Sequence, residues 1–158
     1  MTERPLPWSD SCFVCGESNP NGLQAKFTVD DEGRVRLETM IDHEFEGYGG
    51  HVHGGVLTAL LDETAVWSVI HSLGRMCTTI QLKVTFRQPV PGGSKVVVVG
   101  EVTGKKSRFH FAKSEMRDED GQLMATAEGR FIAMSEEVHN EVVPMLKMPG
   151  RPAVQDDI

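Results

Sequence analysis

The chain has 158 residues, 39% hydrophobic and 25% charged, with 16 Lys and Arg against 23 Asp and Glu for a formal net charge of −7. That length suits one domain with a real core and is short for two, and the composition excludes a disordered body. The acidic balance, with no stretch interleaving basic residues and aromatics, argues against nonspecific adhesion to nucleic acid.

Residues 1–22 read as an arm. Met1 to Asp10 holds Pro5 and Pro7 and lacks the apolar core of a secretory signal, and no run in the chain is expected to reach membrane-spanning length. Cys12-Phe13-Val14-Cys15-Gly16, then Asn19-Pro20-Asn21-Gly22-Leu23, is dense in turn formers. Cys12 and Cys15 have zinc-knuckle spacing, but a structural zinc takes four ligands and no second Cys-x-x-Cys exists. Cys77 and a scattered His would have to complete it, so no metal is expected and the thiols read as ordinary and reduced. Three cysteines, an odd number, suit a reducing compartment, and the cytoplasm is the expected location.

From Leu23 the texture changes. Ala25, Phe27 and Val29 alternate with polar residues, Asp31-Glu32-Gly33 turns the chain, and Val35 and Leu37 resume the alternation up to Ile41, which predicts a β-hairpin. A loop, Asp42 to His51, carries Gly47, Gly49 and Gly50. A helix is predicted from about Gly54 to His71, with Gly74 as its C-cap. Glycine pairs are poor helix formers, so Gly54-Gly55 in the first turn implies close approach of a backbone or ligand.

After Arg75 the pattern returns to β. Ile80, Leu82, Val84 and Phe86 alternate with Gln81, Lys83, Thr85 and Arg87 before Pro89-Val90-Pro91-Gly92-Gly93. Lys95 to Thr103, Ser107 to Met116 and Gln122 to Met134 follow, separated by Gly104-Lys105-Lys106 and Asp118-Glu119-Asp120-Gly121; turns this short make antiparallel neighbours. Residues 23–134 therefore form the domain, and 135–158, acidic and proline-bearing, a partly ordered tail.

Val56 to Leu73 carries two formally charged side chains, Asp62 and Glu63. A helix apolar on every side is buried, and a buried carboxylate with no cation on its own helix is costly, which points to chemistry. The N–H groups of Gly54 and Gly55 at the helix start suit a developing oxyanion. Asp62 follows Gly55 by seven residues and Thr58 by four, so it projects near their face, while Glu63 points roughly 100° away. Asp62 is thus the candidate base or nucleophile, the two roles being indistinguishable from sequence, with a hydrogen bond to backbone or Thr58 as the structural alternative. Glu63 reads as an interface or pairing carboxylate. His53 either caps the helix or packs in the loop, or else supports the site by orienting a ligand or the Gly54 amide, and His51 and His71 read as ordinary polar residues. A polyanionic ligand would need a local basic patch, which Lys105, Lys106 and Arg108 supply beside Ser107; Arg87 is a weaker candidate.

Gly47-Tyr48-Gly49-Gly50-His51-Val52-His53-Gly54-Gly55, followed by Leu60-Leu61-Asp62-Glu63, resembles the hotdog-fold acyl-CoA thioesterases, in particular their phenylacetyl-CoA thioesterase-like (PaaI-like) branch. The Cys12-x-x-Cys15-Gly16, Asn19-Pro20 and Gly22-Leu23 pattern resembles the arm preceding the domain in many members. The resemblance implies an α+β hotdog fold, an antiparallel sheet wrapped around one long central helix. It also implies homodimers, or dimers of dimers, with active sites at the subunit interface, and hydrolysis of an acyl- or aryl-acetyl-CoA thioester without cofactor. On that resemblance Asp62 is the catalytic carboxylate, Gly54 the amide that polarises the carbonyl, and His53 the histidine that opens the motif. Gly55 and Thr79 are placed at the substrate, Thr79 matching a hydroxyl that assists the attacking water in some members. Lys105, Lys106, Ser107 and Arg108 sit where related thioesterases meet the CoA nucleotide. Several members carry Asn six residues before the motif histidine; here that residue is Gly47.

Two other functions share such a fold. A noncatalytic acyl-CoA-binding protein would bind CoA esters and release no thiol, and no DNA-binding segment supports a sensor. A hydratase or dehydratase would need a catalytic His paired with an acid, whereas His53 is followed by an oxyanion-suited Gly-Gly. Neither a nucleic acid nor a membrane is an expected partner.

Overall fold

Alternating apolar residues lay down the sheet. In the computed structural model, which describes residues 2–148, the arm contributes two short strands, β1 (Arg4–Pro5) and β2 (Trp8–Ser9). The predicted hairpin follows as β3 (Phe27–Val29) and β4 (Val35–Ile41), turning Phe27, Val29, Val35, Leu37 and Ile41 inward. Gly33 takes a positive φ of 79° in its turn, a conformation glycine reaches without strain.

The remaining long strands are β5 (Cys77–Phe86), β6 (Ser94–Lys106), β7 (Phe109–Asp118) and β8 (Leu123–Ala133). Seven strands pair in the order β1-β3-β4-β6-β7-β8-β5, antiparallel throughout. β5 thus lies at one edge, and it departs from simple alternation, leaving Ile80 and Phe86 exposed.

Across the sheet lies α1 (Gly54–Leu73), closed by Gly74 in the left-handed conformation with its N–H on Ile70 O. Val56, Leu57, Leu60, Leu61, Ala65, Trp67 and Val69 bury against the strands. Gly100 on β6 lets the helix settle: a Cβ there would stand 2.7 Å from Thr64 O. Ser114 Oγ on β7 donates to Leu61 O at 2.8 Å, satisfying the one fully buried polar side chain of that strand.

Two expectations are corrected, and the segment after Ser135 gains detail. At 20 residues α1 is long and apolar enough, by length and composition, to cross a membrane; a core helix wrapped by a sheet meets the same test. The β6–β7 turn is Ser107-Arg108 rather than Gly104-Lys105-Lys106, since Lys106 pairs with Phe109 and Ser107 takes φ 57°. Gly104 instead serves a β-bulge between Val102 and Gly104, a common use of a strand glycine. The chain after Ser135 continues as a helix, α2 (Glu136–Val142), a 3-10 turn (Val143–Met145) and β9 (Leu146–Lys147). β9 pairs with β2, and Lys147 Nζ meets Asp10 Oδ2 at 2.7 Å, so the two ends of the described chain clasp each other. The rest of the expected tail, 149–158, lies outside the described residues.

Candidate active site

The Gly-rich loop is pinned before the helix begins. Gly47 N–H donates to His51 O at 2.8 Å, Glu46 bridges to Val52, and His51 bridges to Pro91. This delivers His53 to the N-cap, where its Nδ1 accepts from Gly55 N at 2.9 Å. His53 O takes the N–H of Val56 at 2.9 Å and of Leu57 at 3.3 Å. Three of the four first-turn amides are therefore committed. Gly55 belongs to the cap rather than to a free donor pair, and Gly54 N–H has no hydrogen-bond partner among the described residues.

Gly54 opens onto a cavity of about 540 Å³ walled by Gly47, Tyr48, His51, His53, Phe86 and Arg87, among others. A Cβ on Gly54 would lie 3.4 Å from the Phe86 ring. Tyr48 is 91% exposed at the cavity mouth. By sequence His51 reads as an ordinary polar residue and nothing singles out Tyr48 or Phe86; the Gly-rich loop that His51 and Tyr48 share is the signal for both. Gly47 lets the loop pass close to His53, since a Cβ there would sit 3.4 Å from His53 Cδ2.

Asp62 is not in that wall. Its Oδ1 accepts from Thr79 Oγ1 at 2.9 Å, tying α1 to the edge strand. Burial pushes its pKa above the usual carboxylate value and the Thr79 hydroxyl pulls it back down. Thr58, the alternative partner, turns instead to Gly54 O at 2.8 Å. Asp62 lies eight residues beyond Gly54 on the helix, about 12 Å along the axis.

The strand register sorts the remaining candidates. Phe109 pairs with Ile132 and Ile132 with Thr78, so the exposed turn of Lys105, Lys106, Ser107 and Arg108 lies at the Thr79 end of β5. Phe86, at the other end of β5, lies at the Gly54 cavity. The chain therefore carries two separate groups of candidates: a carboxylate, a hydroxyl and a basic turn at one end of β5, and an amide donor in an apolar cavity at the other. His71 is in the last turn of α1 and lines a cleft with Glu32, Glu101 and Val102.

Glu63 points elsewhere, as its position on the helix requires. Its carboxylate lies 3.4 and 3.7 Å from Cys12 Sγ and accepts from Trp67 Nε1 at 3.3 Å. Burial pushes its pKa up to about 8.

The family model of the thioesterase superfamily matches residues 49–125, from the Gly-rich loop into β8. The protein of Saccharolobus solfataricus named "Putative esterase SSO2140" is 30% identical over 139 residues, covering 86% of this chain and 97% of that one. The "Acyl-coenzyme A thioesterase THEM4" of Xenopus laevis is 27% identical over 81 residues, 51% of this chain, which thus matches only 36% of that longer protein. Among solved structures, the thioesterase superfamily protein RHA08564 superposes with a TM-score of 0.71 at 26% identity, covering 77% of this chain and 62% of its own. The E. coli PaaI protein from the phenylacetic acid degradation operon superposes with a TM-score of 0.66 at 16% identity, over 72% of this chain and 81% of its own, a likeness of fold. With the motif loop, the central helix and the sheet order all in place, the chain belongs to the thioesterase superfamily and has its hotdog fold.

Proposed function

We propose that this thioester hydrolase acts on acyl-CoA or aryl-acetyl-CoA, in a site completed by a second copy of the chain. The observation that carries the reading is the placement of the two groups of candidates at opposite ends of one edge strand. β5 is ten residues long, with a free edge and exposed Ile80 and Phe86, the kind of edge that pairs with another chain. An antiparallel pairing of two such strands about their middle brings Thr79 and Asp62 of one copy to Phe86 and Gly54 of the other.

In that arrangement the thioester carbonyl oxygen rests on the Gly54 N–H and the acyl group lies in the cavity against Phe86. Asp62, aligned by Thr79, takes a proton from water as the water oxygen attacks the carbonyl carbon. The oxyanion is held by an amide that is already in place, which favours the transition state over the neutral ester. Collapse expels the CoA thiolate, which takes up a proton, leaving the free acid. The raised pKa of Asp62 makes it a stronger base than an exposed carboxylate. The exposed cations of the Ser107-Arg108 turn suit the phosphates of CoA.

The test is release of free thiol from a panel of acyl- and aryl-acetyl-CoAs. Turnover by the wild type, and its loss by two or more orders of magnitude in Asp62→Asn, is the expected result. Tight binding of CoA esters without thiol release would make the protein a binder, and hydration of an enoyl-CoA would make it a hydratase.

A further inference from the structure

The Cys12-x-x-Cys15-Gly16 turn takes no part in the chemistry above, and it packs on the face of α1 that carries Glu63. Ligand atoms of Cys12, Cys15 and Glu63 all lie within 4.8 Å of one another, although Glu63 is 51 residues from Cys12 in the chain. The distances from Cys12 Sγ to the two Glu63 oxygens, 3.4 and 3.7 Å, bracket the ~3.5 Å that separates a sulfur and an oxygen bound tetrahedrally to one zinc ion.

The turn itself is shaped for this. Val14 N–H donates to Cys12 Sγ at 3.3 Å, a bond that favours thiolate, and Gly16 N–H closes on Cys12 O at 3.0 Å. A Cβ at residue 16 would fall 2.5 Å from that same oxygen, so the knuckle requires glycine. Cys15 is buried and all three cysteines of the chain are free. Trp67 Nε1 donates to Glu63 Oε1 at 3.3 Å, as an outer-shell donor orients a metal ligand.

We propose that Cys12, Cys15 and Glu63 bind one divalent cation of the zinc class, with solvent in the fourth position beside half-exposed Cys12, and that the ion pins the N-terminal arm to the central helix. Two thiolates select a borderline-soft ion over magnesium or calcium. Binding releases the thiol and carboxyl protons to solvent, and the carboxylate on an apolar helix gains a cationic partner. Gly54 and Asp62 lie outside this site, so hydrolysis is not its readout.

The experiment is a cobalt(II) titration of the reduced full-length chain under anaerobic conditions. A thiolate-to-cobalt charge-transfer band that saturates at one equivalent, with the visible bands of four-coordinate cobalt, and that zinc(II) displaces, is expected. X-ray absorption of the zinc form should then show two sulfurs at about 2.3 Å and two lighter ligands at about 2.0 Å. Cys12→Ser should abolish the band, and Glu63→Gln, checked for native circular dichroism, should weaken zinc binding at least tenfold. Absence of the band while a thiol assay counts three free cysteines would overturn the proposal, and so would a band that survives Cys12→Ser. A Cys12–Cys15 disulfide in the purified protein that, once reduced, takes up no cobalt would overturn it in favour of a redox pair.

Discussion

Thr79 Oγ1 donates to Asp62 Oδ1 at 2.9 Å, joining the middle of the central helix to the edge strand. Burial is the larger influence on Asp62 and raises its pKa; the Thr79 bond stabilises the charged form and lowers it. A base works deprotonated, so kcat/KM should climb with pH through a limb displaced above the usual carboxylate value. Thr79→Val removes the opposing influence, and the limb should move higher still. Profiles of kcat/KM against pH for both proteins check this; a limb that moves down in the variant would contradict the assignment.

The same shift makes a statement about stability. A carboxyl whose folded pKa is raised holds its proton more tightly in the fold than in the unfolded chain. Its favourable contribution is therefore present at low pH and is lost as pH climbs from the unfolded pKa to the folded one. At neutral pH the charged Asp62 opposes folding, and Asp62→Asn relieves that. Activity should fall by about 10²-fold or more while the melting temperature at pH 7 stays level or rises. A matching loss of stability would assign Asp62 a structural role.

How far these features are legible from residues alone depends on what kind of distance they involve. The ends of α1 were legible because Gly54-Gly55 and Gly74 are local signals, and the hairpin because Gly33 marks its turn. A helical wheel set Asp62 on the Gly55 face, yet a wheel projects away the axial separation from Gly54, about 12 Å. Partners far apart in sequence are not given by spacing: nothing local brings Cys12 to Glu63, and Thr79 reaches the site of Asp62 only through the family resemblance. The Ser107-Arg108 turn was misplaced because Gly104 looked like turn chemistry and is a bulge.

Capping by His53 is worth measuring apart from chemistry. His53→Ala removes the acceptor for Gly55 N–H, and loss of an N-cap costs about 1 kcal/mol, or roughly 2–4 °C in Tm for a chain of this size. His53→Asn, which can accept the same bond, should recover most of that. Thermal melts of the three proteins at one pH check it; equal losses in both variants would mean that the ring's packing, not the cap, is what matters.

Gly100 sets the distance between helix and sheet. A methyl there would stand 2.7 Å from Thr64 O and 2.8 Å from Ser68 Oγ, and backbone cannot rotate aside as a side chain does. Gly100→Ala should lower stability by about 1–3 kcal/mol, read as a lower denaturant midpoint at unchanged slope. A neutral result would show that α1 is free to lift from β6.

The site proposed between two copies of the chain predicts what no single-chain site can. In a mixed dimer of Asp62→Asn with Gly54→Val, one composite site carries both lesions and the other carries neither. Each variant alone should be inactive: the first lacks the base, and the second places a side chain against Phe86 in the carbonyl cradle. Unfolding and refolding them together should restore thiol release, approaching one quarter of wild-type activity per chain if subunits mix at random. Were Asp62 and Gly54 to act within one protomer, every site in the mixture would carry a lesion and no activity would return. Mixing the folded homodimers without exchange is the control, and it should stay inactive on the timescale of dimer dissociation.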